Sequence, residues 1–119
     1  MNKHMIHYAK DRKWEEGMYE NTEMSYLWED KETGQLCFLV KLHPGSWIPL
    51  HDHPRREIAY LVEGEVRLND DIMVAGDFLT AGVGESHDVY TETGCTFFIF
   101  IDYDAVKTEV KPKEDLERK

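Results

Sequence analysis

A chain that places two histidines on alternate residues, just before a proline, has few ways to fold around them. Gly45 to Gly64 reads GSWIPLHDHPRREIAYLVEG, with His51, His53 and Glu57 in its middle. Residues i and i+2 of a strand point to the same face, so His51 and His53 aim two imidazoles at one point. Pro54 breaks that strand, because it has no N–H to give to the ladder. Pro54, Arg55 and Arg56 then read as a turn. Glu57 opens the next strand, EIAYLVE, where Glu57, Ala59 and Leu61 share a face and which Gly64 ends. If the turn folds this strand back beside the first, Glu57 lands opposite the histidine pair. His87 follows behind a second glycine-rich stretch, GDFLTAGVGESH, on a third strand, HDVY. Neutral imidazoles and a carboxylate in this arrangement are the donor set of a mononuclear metal site. They suit iron, manganese, nickel, copper or zinc as the divalent ion.

The rest of the chain reads as β-structure with polar turns. Residues 1–24 show little pattern and read as an N-terminal arm, in which His4 and His7 are solvated. Ser25–Glu29 and Gln35–Leu42 are strands around the polar turn DKETG. Lys41 sets the solvent parity of the second, which puts Leu36, Phe38, Val40 and Leu42 inside. His43 lies outside the ligand spacing and reads as exposed. Trp47 and Ile48 fall near a barrel mouth or an outer face. Ile72–Ala75 and FLT are short strands, and Gly82 and Gly84 allow a close approach to the site. Cys95–Asp102, CTFFIFID, is apolar on both faces, as expected of a strand covered on both sides or buried at a subunit interface. This points to a homodimer. Residues 104–119 form a charged tail.

With 119 residues the chain fits one domain. A net charge of −10 counts against nucleic acid and anionic membranes as partners. No apolar run is long enough to span a bilayer and the start lacks a signal-peptide core, so a cytoplasmic location is expected. Cys37 and Cys95 are not in a C-x-x-C pair and read as reduced thiols in strands.

Gly45-x5-His51-x-His53-x3-Glu57-x6-Gly64 resembles the first motif of the cupin superfamily at every position. Gly76-x5-Gly82-x-Gly84-x2-His87-x3-Thr91 resembles the second, with Gly82 where proline is usual and Thr91 where asparagine is usual. The resemblance covers residues 35–102. It implies an all-β, single-domain cupin jelly-roll barrel over residues 25–103, with one divalent metal held by His51, His53, Glu57 and His87. The runs LHPGSWIPLHDHP and ETGCTFFIF are similar to the ChrR-like group. That group includes anti-sigma-factor lobes and enzymes of the dihydroxyacetophenone-dioxygenase type.

Four protein ligands leave a six-coordinate ion with about two open positions. With Fe2+, this implies a dioxygenase-like oxidoreductase acting on a small aromatic or diketone-type molecule. Glu57 is then a candidate base. Parity places Phe38, Val40, Ala59, Leu61 and Val89 in the substrate pocket, with some of Phe97, Phe98, Ile99 and Phe100 from the last strand. The sequence leaves the parity of that strand open; Phe98 and Phe100 are the pair expected. Arg55 and Arg56 read as a solvated pair. Only about eleven residues separate the two motifs, which leaves no room for an inserted lid. The alternatives are a non-catalytic, ChrR-like sensor or ligand-binding cupin, and a cupin isomerase or hydrolase. The zinc motif His-x3-Cys-x2-Cys of anti-sigma factors is absent.

Overall fold

Alternating side chains and closely spaced turns produce nine strands among the described residues. The computed structural model describes residues 3–53 and 55–102. Pro54 and the tail 104–119 lie outside the described residues. After a 3-10 turn at Ala9–Asp11 come β1 (Glu15–Glu16), β2 (Thr22–Asp30), β3 (Gln35–Leu42) and β4 (Trp47–Asp52). They are followed by β5 (Glu57–Leu68), β6 (Asp71–Val74), β7 (Phe78–Ala81), β8 (Ser86–Tyr90) and β9 (Cys95–Asp102). β2 starts earlier than expected, within the stretch read as an arm. It pairs antiparallel with β3 from Thr22 onward.

All pairings among the described residues are antiparallel. β1, β2, β3, β9, the first half of β5, and β7 form one sheet. β4, β8, β6 and the second half of β5 form the other. β5 therefore belongs to both and closes the curl of the barrel. The expected end of this strand at Gly64 is corrected: the chain bends there and continues to Leu68. A register shift between Leu61 and Glu63 marks the bend, as bulges do where a strand changes sheets. Gly64 has φ +91°, and a Cβ on it would lie 2.3 Å from Gly94 O. Thr91 locks the crossing from the other side. Its buried hydroxyl donates to Glu65 O (2.7 Å) and accepts from Gly94 N (2.9 Å).

The core lies between the two sheets. Met24, Phe38, Leu42, Ala59, Leu61, Phe97 and Ile99 face Ile48, Val66, Leu68, Met73 and Val89. Leu61 is fully buried in this packing. Residues 97 and 99 of β9 are buried while 98 and 100 are half-buried, so the odd positions of this strand face inward.

Candidate metal centre

The pairing of β4 differs from expectation. β5 does not fold back beside it; β4 pairs with β8, and His51 stands directly opposite His87. Because β8 lies far along the chain, local sequence could not indicate this partner. The register shifts between Ile48 and His51, across Pro49 and Leu50. Pro49 offers no ladder N–H, and a bulge tolerates that loss. The beginning of β5 runs in the opposite sheet, so Glu57 reaches the histidines from across the barrel.

One ligand nitrogen each from His51, His53 and His87 lies within 4.8 Å of the others. The three rings are 4.6–5.0 Å apart by centroid. His53 Nδ1 donates to Glu85 O at 2.6 Å, and His51 Nδ1 donates to Pro49 O at 3.0 Å. A ring that donates from Nδ1 keeps its lone pair on Nε2, the tautomer a metal ligand needs. His53 Nε2 is buried and has no hydrogen-bond partner. A buried polar atom without a partner is costly, and a cation placed among the three rings would satisfy it. Glu57 is outside this tightest group, yet its Oε1 is 3.4 Å from His53 Nε2. Three imidazoles with an adjacent carboxylate therefore fit a divalent ion.

The titration of these groups follows from burial. His87 is pushed down to about 4, first by burial and then by His53 and His51; Asp88 pulls weakly the other way. It is thus neutral, the ligand form, over the physiological range. Burial pushes Glu57 up, and His53 and then His51 pull it back. A histidine lowered in the folded state contributes stability that is complete above its unfolded value of 6.5. That contribution is lost as the pH falls toward about 4. In metal-free protein the His87 ring resonances should titrate with a midpoint near 4. A midpoint at 6.5 by NMR would contradict this packing.

The cluster opens onto a cavity of about 250 Å³. Phe38, Val40, Ala59 and Val89 line it, together with His51, His53, Glu57 and His87. Three expectations are corrected. Leu61 lies in the core behind the lining. Phe98 and Phe100 are on the opposite face of β9, and Phe97, Ile99 and Ile101 take their place. Arg55 is not simply solvated, because it borders the cavity. Ile48 lines the cavity, whereas Trp47 is exposed and donates from Nε1 to Asp88 Oδ2 at 3.3 Å. His4 and His7 are exposed. His43 is partly exposed and pairs with Glu23.

Met18 and Tyr19, missed by the sequence reading, also line the cavity. They come from the turn between β1 and β2, closed by Gly17 N to Thr22 O (2.9 Å) and by Thr22 Oγ1 donating to Tyr19 O (2.6 Å). The Tyr19 ring is 6.3 Å from that of His51. The site thus has a cover from the N-terminal arm and needs no insertion between the motifs.

Residues 2–103 match the ChrR cupin-like domain. The chain belongs to the ChrR cupin-like family. An RmlC-like cupin from Shewanella frigidimarina is similar in fold, with TM-score 0.71 and 16% identity over 84% of this chain and 91% of that one. A chain of the Rhodobacter sphaeroides complex of SigE with the anti-sigma ChrR gives 0.68 and 21%, over 80% of this chain and 51% of that one. The acetylacetone dioxygenase of Acinetobacter johnsonii gives 0.66 and 12%, over 86% and 74%. No curated protein matches the sequence. Among the described residues, no helix is long and apolar enough to cross a membrane.

Proposed function

We propose that this cupin is a dioxygenase-like oxidoreductase that uses Fe2+ to act on a small aromatic or diketone-type molecule. The observation that carries the reading is that the three-histidine cluster and Glu57 line the same cavity as Phe38, Val40, Phe97 and Val89. A polar donor set in an apolar pocket suits a compact organic ligand with one reactive polar end. The acetylacetone dioxygenase among the structural relatives supports the substrate class. When bound, a ferrous ion supplies Lewis acidity toward an oxygen donor and redox capacity toward dioxygen.

The chain's own residues supply the remainder. The carbonyls of Pro49 and Glu85 fix the rings of His51 and His53. The apolar walls lower the local dielectric, which strengthens the polar contacts inside. Glu57 accepts a proton from the substrate at its carboxylate, whose affinity for protons burial has raised. A Glu57→Gln variant should keep metal and lose about 100-fold or more in turnover; full turnover would remove this role.

Oxygen uptake by iron-loaded protein, measured against a panel of β-diketones and phenols, tests the reading. Uptake that depends on one of these substrates is expected. Ligand binding with no uptake would favour the second reading, a ChrR-like sensor, which the family match supports. Turnover without uptake would favour an isomerase or hydrolase.

The partner in assembly is a second copy of the chain. On the outer face of the first sheet, Leu39, Phe98, Tyr60 and Phe78 stand in one cross-strand row, beside Cys37, Phe100 and Ile58 in the next. Tyr60 is 46% exposed and Phe78 61%. An apolar band of this kind marks an interaction surface. Light scattering should give the mass of a homodimer, and the mass of one chain would contradict it. Cys37 and Cys95 are free thiols, which accords with a reducing cytoplasm.

A further inference from the structure

Two adjacent arginines follow the histidine pair, and they go different ways. Arg56 donates from Nη1 to Thr80 Oγ1 at 3.0 Å in a solvent-exposed contact. Arg55 is half-buried and borders the cavity that His51, His53, Glu57 and His87 also line. The walls of that cavity are largely apolar, including Phe38, Leu79 and Val89. A guanidinium presents five N–H donors in a rigid fork that matches a carboxylate. Beside apolar walls its pull on an anion is stronger than in water. The chain as a whole carries a net charge of −10, which repels anions from its surface. Arg55 thus brings a cation to the cavity of an acidic chain, where Glu57 is the acidic side chain of the lining.

The cavity also bounds size. At about 250 Å³ it is at or below the lower end of ordinary ligand pockets, which excludes sugars with long substituents and nucleotides. Tyr19 forms part of its wall beside His51.

We infer that the ligand is a small organic carboxylate with a compact apolar body, held by Arg55 at its charged end and by Phe38 and Val89 along its body. Arg55 is thus a specificity-determining residue. This rests on the reading above that the cavity at the metal centre is the ligand site.

The test is calorimetric titration of zinc-loaded protein with benzoate and with benzamide, its uncharged isostere. Wild type should bind benzoate about tenfold or more tightly than benzamide, the worth of one charge-assisted contact. Arg55→Gln should lower benzoate affinity by about tenfold or more, and change benzamide affinity by less than about twofold. Arg55→Lys, which keeps the charge but not the fork, should restore part of the preference. Zinc content measured on each sample keeps the two readings apart. An Arg55→Gln protein that is fully metallated and still prefers benzoate would overturn the inference and leave the metal centre standing. Equal binding of the two compounds by wild type would do the same. A wild type that takes up no zinc would sink the metal centre instead. In that case the same titrations on metal-free protein still decide, because the guanidinium needs no ion to prefer the anion. No Arg55-dependent preference there would overturn the inference.

Discussion

Gly64→Ala should cost this protein at least about 3 kcal/mol and lower its melting temperature by about 10 °C or more. Two independent penalties add at this position. The backbone has φ +91°, a conformation in which an L side chain is strained. In addition, the new Cβ would lie 2.3 Å from Gly94 O and 2.7 Å from Cys95 Cα, both backbone atoms that cannot rotate away. Relief requires the crossing of β5 and β9 to open, and with it the join between the two sheets. Gly76 separates the two effects. It has φ +99°, but a Cβ there would meet nothing within 4 Å. Gly76→Ala should therefore cost only about 1–2 kcal/mol. Thermal or denaturant unfolding of both variants measures the difference. Equal losses would show that the close approach at Gly64 does not matter.

His53→Ala should reduce metal affinity by at least about 100-fold while leaving a folded protein. His53 is 4% exposed, donates to Glu85 O, and has an Nε2 that makes no hydrogen bond and lies 3.4 Å from Glu57 Oε1. Its removal takes away the most enclosed of the three nitrogens and exposes the site to water. The metal-free fold should lose no more than about 2 kcal/mol. The orphaned Glu85 carbonyl costs about 1–2 kcal/mol, and the removal of an unsatisfied Nε2 offsets part of that. His43→Ala is the control, since His43 pairs with Glu23 away from the cluster. It should retain metal in full. Loss of metal in His43→Ala, or retention in His53→Ala, would contradict the site described above.

The histidine spacing and the strand alternation carried most of the fold, because both are local properties of the chain. The parity of β3 followed from Lys41, a single charged residue on an otherwise apolar strand. β9 had no such marker. CTFFIFID is apolar on both faces, so nothing in it separates Phe98 from Phe97, and only the pairing with β3 and β5 decides which face is inside. The partner of β4 was hidden for a related reason. Adjacent strands joined by a short turn suggest a hairpin, yet the chain crosses to the other sheet and leaves β8 to complete the site. Gly64 looked like a strand end because glycine punctuates strands. Here it lets one strand serve two sheets. The cover over the cavity was the least visible part. Met18 and Tyr19 belong to a stretch with weak hydrophobic pattern, and they are placed by a turn whose closing contacts involve Thr22 and a left-handed Asn21 (φ 68°).

The most direct experiment is metal analysis by mass spectrometry of protein purified without chelator or added metal, beside a His51→Ala/His53→Ala double variant. The expected result is one transition-metal ion per chain in the wild type, with iron predominant, and none in the variant. A wild type that stays metal-free even after reloading with Fe2+ or Zn2+ would contradict the metal centre and leave the barrel as a binding module alone.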